Sequence, residues 1–449
     1  LEKYPVAHTT VGSKEIRAVN LGRDVPYIIL QTPSVNVTSD AGNGIGYTGM
    51  TIRGTDLTRI NVTVNGIPVN DAESQGVWFV DLPDIASSAG SIQVQRGVGT
   101  STNGAGAFGA SVNFLTTDMR ADPYGELDVS GGSYNTFKST LRFGTGLMPG
   151  RFSVDGRLSY IRSDGYVDRA SSNLASYYLA AGYYGPKTTI RLINFTGTEK
   201  TYQAWEGVPK DSLATNRTYN PAGEYTDAAG NIAYYGNQTD NYLQENYQLI
   251  FSQVAGRGLT LNGALHYTHG RGYYENYKED ASFSSYGLGD VVLGGDTISS
   301  TDLVNRKELD NDFAGLTFSA VWQIPDRLKV IAGGGWNRYH GRHSGKIIWA
   351  EFASNGSNTR NWYYNTGLKS DFNLYAKANY HLLPRLNLFA DLQYRRVAYD
   401  MEGTLDNLRT LDQDHLFNFF NPKTGLYWTL NPRNDLYFSF AVANREPSR

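Results

Sequence analysis

The sequence predicts a mainly β fold: a small α+β domain followed by an antiparallel transmembrane β-barrel. Three observations predict it. Period-two strands recur from about residue 124 onward. The connections between them alternate between short and long. The first 122 residues lack that pattern and hold short β segments with glycine-rich turns. We expect two domains, 1–122 and 123–449.

The bulk composition sets bounds. A chain of 449 residues is long enough for two or three domains. Lys and Arg number 40 against 43 Asp and Glu, which argues against a nucleic-acid partner, since such binders carry a basic excess. The absence of cysteine excludes a disulfide framework and a cysteine zinc site. The 49 Gly, 32 Tyr and 19 Phe against 15 Pro suit many strands and turns. No apolar run reaches the roughly 18 residues of a membrane helix. That says nothing against a barrel, whose apolar surface hides in alternate residues.

The barrel signal comes from the strands and from their connections. Phe152, Val154, Leu158 and Tyr160 share one face, and Arg151, Ser153, Asp155, Arg157 and Ser159 the other. Phe372, Leu374, Ala376, Ala378, Tyr380 and Leu382 likewise oppose Asn373, Lys377, Asn379 and His381. Leu386, Leu388, Ala390, Leu392 and Tyr394 oppose Arg385, Asn387, Asp391, Gln393 and Arg395. Such alternation gives strands with one apolar and one polar face. The runs last roughly 10–13 residues, against about 5–6 in soluble sheets, and about 10 tilted residues cross a bilayer. Short turns fall at 148–150, 185–187, 255–257, 324–326, 383–385 and 431–433. Long polar connections lie between them at about 199–241, 271–307, 341–368 and 398–422. Membrane barrels sort their loops by length in this way, short on one side and long on the other. The competing architecture, a secreted all-β protein, has no reason to do so. Tyr160, Tyr183, Tyr184, Tyr394, Tyr437 and Phe438 stand at strand ends, as in an interfacial girdle or in ordinary strand packing.

In the first domain, the strand Arg59–Asn65 runs into Asn65-Gly66, a strong hairpin-turn signal. Ser91–Gln95 and Ser111–Leu115 read as further short strands on either side of a glycine-rich stretch, Gly99–Gly109. Four motifs then stand in order over about 65 residues: Thr51-Ile-Arg53-Gly54, Asn61 to Asn70 (NVTVNGIPVN), Ser91 to Gly97 (SIQVQRG), and Asn103 to Gly109 (NGAGAFG) with Val112-Asn113-Phe114. Their order and spacing resemble the plug of TonB-dependent receptors, of a Bacteroidetes-like kind. Two departures are mild: the hairpin turn is Asn65-Gly66 rather than Asp-Gly, and Ala110-Ser111 replaces a Gly-Gly pair.

The resemblance implies an outer-membrane transporter, not an enzyme, with the plug inside a 22-stranded barrel. It implies ligand capture from outside and import powered through TonB, with the lipid bilayer around the barrel and no cofactor. About 13 strands fit after residue 122, whereas 22 would need roughly 550 residues. We therefore expect about nine strands, and the TonB box, to lie outside this sequence. Plug arginines of these motifs, here Arg53 and Arg96, pair with barrel carboxylates in the family. Such a pair would act as a plug latch, since breaking a buried pair from one side costs roughly 3–5 kcal/mol; a solvated plug surface is the plainer reading.

The ligand is not named by the sequence. Two plug segments are placed to rise toward the outside, Asn43–Gly49 with Tyr47 at its tip and Ala72–Phe79 with Trp78 and Phe79. We take Asn43, Tyr47, Trp78 and Phe79 as plug-apex ligand residues, and Tyr202, Trp205, Tyr273, Tyr274 and Trp362 as their counterparts on the long loops. Flat rings suit siderophores and sugars alike, and they also suit a rigid loop lid. A ferric siderophore, haem or cobalamin is the first expectation, a small molecule or metal chelate in each case. A glycan or peptide importer of the starch-utilisation type, with a surface lipoprotein partner, is the second; the compact plug leans against it. A passive porin or adhesin is the third, and a plug counts against a porin. Other motifs have plainer readings. Gly104-x-Gly106-x-x-Gly109 matches a dinucleotide fingerprint but precedes a strand, not a helix. His266/His269 and His340/His343 are i, i+3 pairs, which point to opposite faces of a strand, so no metal site is expected. No catalytic constellation is evident.

Overall fold

The computed structural model describes residues 7–104, 106, 108–117, 119–352 and 361–449. The N-terminal region holds β1 (His8–Gly12), α1 (Ser13–Val19), α2 (Val25–Ile28), β2 (Val35–Ser39), β3 (Thr48–Ile52), β4 (Ile60–Val64), β5 (Ile67–Pro68), β6 (Ala89–Arg96) and β7 (Ala110–Thr116). Five of these strands form a sheet in the order β1-β6-β7-β4-β5, with β4 and β7 parallel. β2 and β3 make a separate hairpin. Every residue of β4 is buried, because the strand is central and covered on both faces. The β4–β5 turn puts Asn65 and Gly66 at φ of 58° and 81°, the conformation a tight hairpin requires.

Thirteen long strands then follow in antiparallel chain order: β8 (Tyr124–Gly132), β9 (Thr136–Gly144), β10 (Phe152–Ser163), β11 (Ser172–Tyr184), β12 (Thr188–Tyr202), β15 (Thr239–Gly256), β16 (Leu259–Ser282), β19 (Ser300–Ile324), β20 (Leu328–Ala350), β21 (Tyr363–Leu383), β22 (Leu386–Gly403), β23 (Gln413–Asn431) and β24 (Asn434–Ala441). The intervening loops carry the hairpins β13 (Glu224–Thr226) with β14 (Ile232–Tyr234), and β17 (Val291–Leu293) with β18 (Asp296–Ile298). The alternating faces behave as the period requires. Phe152, Leu158, Phe372, Leu388 and Leu392 are exposed, while Arg157, Lys377, Asp391 and Gln393 are buried on the concave side.

The concave side holds the N-terminal domain. Its residues bond to side chains from β9 round to β23: Asp84 to Lys138 on β9, Asn65 to Gln248 on β15, Glu73 to Tyr339 on β20, and Ser101 to Asp391 on β22 and Lys423 on β23. The main apolar core joins the two parts, since Ile60, Val62, Ile92, Val112 and Phe114 pack in one cluster with Tyr178, Ile193 and Phe195 of β11 and β12. The first domain therefore fills the curve of the sheet.

One expectation is corrected. The connections placed at 271–307 and 341–368 are largely strand, because β16 runs to Ser282 and β20 to Ala350 before their partners begin at Ser300 and Tyr363. Beyond the bilayer both faces of a strand meet water, so the pairing continues while the apolar alternation stops. The glycine-rich stretch leads into β7, not a helix, and its residues 105 and 107 lie outside the described residues. Gly104 has φ of 102°, and a Cβ there would fall 2.2 Å from the Asn61 amide nitrogen, so glycine serves close backbone approach.

Candidate functional site

The residues of the β2–β3 turn are keyed to the loop side of the barrel. Tyr166 donates its backbone N–H to the Ala41 carbonyl at 2.8 Å. Asn43 donates its amide to Ser163 Oγ at 2.7 Å. Ile45 is buried with Val80, Ile161 and Leu174. These contacts place Tyr47 so that its hydroxyl donates to the Asp240 carboxylate and reaches Glu199 Oε1 at 3.4 Å. Its ring meets Trp205 edge-on at 5.4 Å, and Trp205 meets Tyr274 in the same way at 5.6 Å.

The second apical segment follows β5. Asp71 caps a tight turn, accepting the Ser74 N–H at 2.7 Å and the Glu73 N–H at 3.1 Å. The turn aims Glu73 at the barrel wall. Its carboxylate accepts from Tyr339 at 2.8 Å, Tyr399 at 2.6 Å and Arg449 at 2.6 Å, and lies 2.6 Å from His343 Nε2. Burial alone would raise the Glu73 pKa, but His343, Arg449 and Tyr399 together bring it down to about 2.

Between these segments and the inner wall of β12 to β21 lies a cavity of about 1110 Å³. Tyr47, Trp78, Trp205, Tyr242, Tyr273, Tyr274, Tyr286, Tyr339, Trp362 and Tyr363 line it. So do eight carboxylates, Asp40, Asp71, Glu73, Asp81, Glu199, Asp240, Glu308 and Asp406, against Lys278, Lys307, Arg449 and His343. Burial, then the neighbouring Asp240 and Asp71, push the Asp81 carboxyl well above the usual carboxylate range. Burial, then Glu199 and Asp240, likewise raise the Tyr47 phenol. A concave, largely aromatic chamber with a few convergent polar groups is the usual form of a small-molecule site.

Comparison with known proteins places this arrangement. Residues 1–111 match the TonB-dependent receptor plug domain. The chain carries a TonB-dependent receptor plug domain. It is 24% identical over 293 residues to the ferrienterobactin receptor of Escherichia coli K12, covering 59% of this chain and 38% of that protein. Among solved structures it resembles the open form of the E. coli K12 ferric-catecholate import receptor Fiu, at 15% identity and a TM-score of 0.73, over 99% of this chain and 70% of that one. It also resembles the Pseudomonas aeruginosa ferripyoverdine receptor in its ferripyoverdine-bound structure, at 15% identity and a TM-score of 0.71, over 98% of this chain and 57% of that one. The chain thus spans well under two thirds of the ferrienterobactin and ferripyoverdine receptors. The family consists of outer-membrane β-barrel transport receptors, not enzymes.

The structure distributes the expected site residues unevenly across this receptor. Tyr47, Trp78, Trp205, Tyr273, Tyr274 and Trp362 all line the cavity. Arg306 lies over the Tyr273 ring at 4.1 Å. Trp362 meets Tyr286 at 5.1 Å and donates its indole N–H to the Asp406 carbonyl at 3.1 Å. Three residues fall elsewhere. Asn43 is spent on Ser163. Phe79 is 2% exposed within the joint core, because it begins a 3₁₀ turn that sends it and the adjacent Trp78 in different directions. Tyr202 is buried, donating to the carbonyls of Ala222 and Tyr235, and so braces the loop that carries Trp205.

Arg53 and Arg96 also depart from expectation. Arg53 donates to the Arg96 carbonyl at 3.5 Å and Arg96 to the Pro33 carbonyl at 3.4 Å. Both bond to plug backbone because the left-handed turn at Arg53, φ of 52°, lays its side chain back along the plug. The deeply buried ion pair between plug and barrel has the opposite polarity, a plug carboxylate on a barrel cation: Asp84 to Lys138 at 2.7 Å. Sequence reasoning missed Glu73, Asp81, Glu199 and Asp240. Glu199 falls at the start of the connection expected at about 199–241, although β12 runs on to Tyr202, and nothing local marked the other three.

The histidine pairs divide across the wall as strand geometry demands. His266 is buried beside Asn337, and His343 meets Glu73. His269 stands with Asp310 and Asp312, the three offering ligand atoms within 4.8 Å of one another. Arg342 already spans both aspartates there, 2.5 Å from Asp310 and 3.0 Å from Asp312.

Proposed function

We propose that this receptor binds a ferric siderophore or similar metal chelate from outside and passes it to the periplasm with energy supplied through TonB. The observation that carries this reading is the aromatic cavity of about 1110 Å³ directly over the plug apex, a volume at the scale of one chelate molecule. The names of the similar receptors, for ferrienterobactin, ferric catecholate and ferripyoverdine, support the ferric class. Capture above the plug needs a second step to move the plug. The hydrogen-bonded Glu73 and the buried Asp84 would hold it closed until TonB pulls.

The test is growth and radio-iron uptake by a strain lacking this receptor, supplied in parallel with ferric chelates, haem, cobalamin and glycans. Loss confined to one ferric chelate, restored by the wild-type gene and abolished again without TonB, is the expected result. A defect confined to glycan use, or ferric uptake that continues without TonB, would overturn it.

A further inference from the structure

The geometry points to a subsite for a protonated amine at the apex of the plug, formed by the carboxylates of Asp81, Glu199 and Asp240 and the rings of Tyr47, Trp205 and Tyr274. It rests on the reading of the cavity as the ligand site and names the ligand's class: a chelate bearing an ammonium group, not a polyanionic tris-catecholate.

Two independent features of the cavity wall converge here. One is charge. Glu199 and Asp240 share the Tyr47 hydroxyl, and Asp81 lies close enough to Asp240 for the two to repel. The Asp81 side chain makes no hydrogen bond and no ion pair among the described residues, yet it lines the cavity. Neither Glu199 nor Asp240 has a cationic partner among the described ion pairs. Carboxylates gathered out of bulk water without a counter-charge are costly, and a ligand cation relieves that cost. Two of the cations that line the cavity are engaged elsewhere: Lys307 is 2.7 Å from Asp406, at 6.0 Å from the Tyr274 ring, and Arg449 is 2.6 Å from Glu73.

The other feature is the rings. Tyr47, Trp205 and Tyr274 stand in successive edge-to-face contacts with interplanar angles of 89° and 84°. All three line the cavity, and aromatic faces attract ammonium groups. A bare metal ion fits less well. Among the described residues the only three-ligand convergence within 4.8 Å is His269, Asp310 and Asp312, so these carboxylates are spread for a larger, organic cation.

The experiment measures tryptophan-fluorescence titrations of the detergent-solubilised receptor with four probes. These are a ferric trihydroxamate with one free primary amine, its N-acetylated form, a ferric tris-catecholate, and cadaverine without iron. The amine-bearing chelate should bind about tenfold or more tighter than its acetylated form. Asp81→Asn with Asp240→Asn should erase that difference, lowering the affinity for the amine form far more than for the acetylated form. Trp205→Leu, which keeps apolar bulk but removes the ring, should narrow it, and cadaverine should quench wild type but not the double variant. Equal affinities for the amine and acetyl forms, or preference for the tris-catecholate, would overturn the subsite while leaving ferric-chelate binding intact. Quenching by cadaverine with no chelate bound would leave the subsite standing and overturn the ferric reading. No response to any probe overturns both.

Discussion

The Asp84 carboxylate of the plug lies 2.7 Å from the Lys138 ammonium of β9, with side-chain exposures of 0% and 4%. Thr140 and Ser159 also donate to Asp84, at 2.7 and 2.5 Å. Burial would raise this carboxyl, but Lys138 and Arg157 hold it well below the usual carboxylate range. Asp84→Ala strands Lys138 as an unpaired buried charge. It should weaken plug docking by about 3–5 kcal/mol, whereas Asp84→Leu with Lys138→Met should cost far less. Urea-dependent proteolysis of the plug reads both. Equal protease profiles for Asp84→Ala and wild type would remove this pair from any role in holding the plug.

Glu73 gives a pH signature with a fixed sign. Its pKa falls from an ordinary value near 4.3 to about 2 in the folded receptor. A depressed carboxylate stabilises the fold above its unfolded pKa and loses that contribution as pH falls through the folded value. Glu73→Gln should therefore be less stable than wild type at neutral pH, with the gap closing between about pH 4 and about pH 2. Acid titrations followed by tryptophan fluorescence check this; a gap that persists at the acid end would mean that Glu73 acts through packing, not charge.

Asp24 has the opposite sign. Burial lifts it to about 8, against smaller lowering by Thr48 and the Gly46 backbone. Its ionisation is easier in the unfolded chain, so stability is full below the ordinary aspartate value near 3.9 and declines as pH rises toward 8. Asparagine keeps the acceptor for Thr48 Oγ1, now at 3.0 Å from Asp24, and cannot ionise. Asp24→Asn should melt higher than wild type at pH 7 to 8 and match it near pH 4. A variant that is less stable at pH 7 would show that the charge is used.

Much of the fold was legible because one interaction dominates it. Lipid on one side and a polar lumen on the other impose period two, and Leu392 and Gln393 obey it with exposures of 49% and 2%. The wet ends of β16 and β20 were misread as loops because nothing there enforces alternation. In the candidate site the rings of Tyr47, Trp78 and Trp205 were legible, since large aromatics on apical segments carry their own signal. Asp81 and Asp240 were not. They are 159 residues apart in sequence, and only closure of the sheet around the plug makes them neighbours. Phe79 was misplaced because a 3₁₀ turn reverses facing within one residue.

Sidedness is open to direct measurement. Cysteine at position 392 should react with a lipid-soluble reagent and resist a water-soluble one in intact membranes. Cysteine at 393, beside Asn421 in the lumen, should be protected from the lipid-soluble reagent. Identical labelling at both positions would place the register of β22 in error by one residue, which flips every side chain.

Trp78 and Phe79 are consecutive in sequence and should fail in different ways. Trp78 is 41% exposed on the cavity wall, while Phe79 is 2% exposed in the core shared with β11 and β12. Covering one large ring with ligand is worth roughly 1.5–3 kcal/mol. Trp78→Ala should thus weaken binding of the growth-supporting chelate by about ten- to a hundredfold, with stability within about 0.5 kcal/mol of wild type. Phe79→Ala removes a packed core ring and should destabilise by about 3–5 kcal/mol, yet the fraction that remains folded should bind normally. Chemical denaturation and chelate titration on the same preparations separate the two effects. If Trp78→Ala binds normally and only its stability falls, the wall at Trp78 belongs to the plug's own packing and the ligand sits nearer Trp205 and Tyr274.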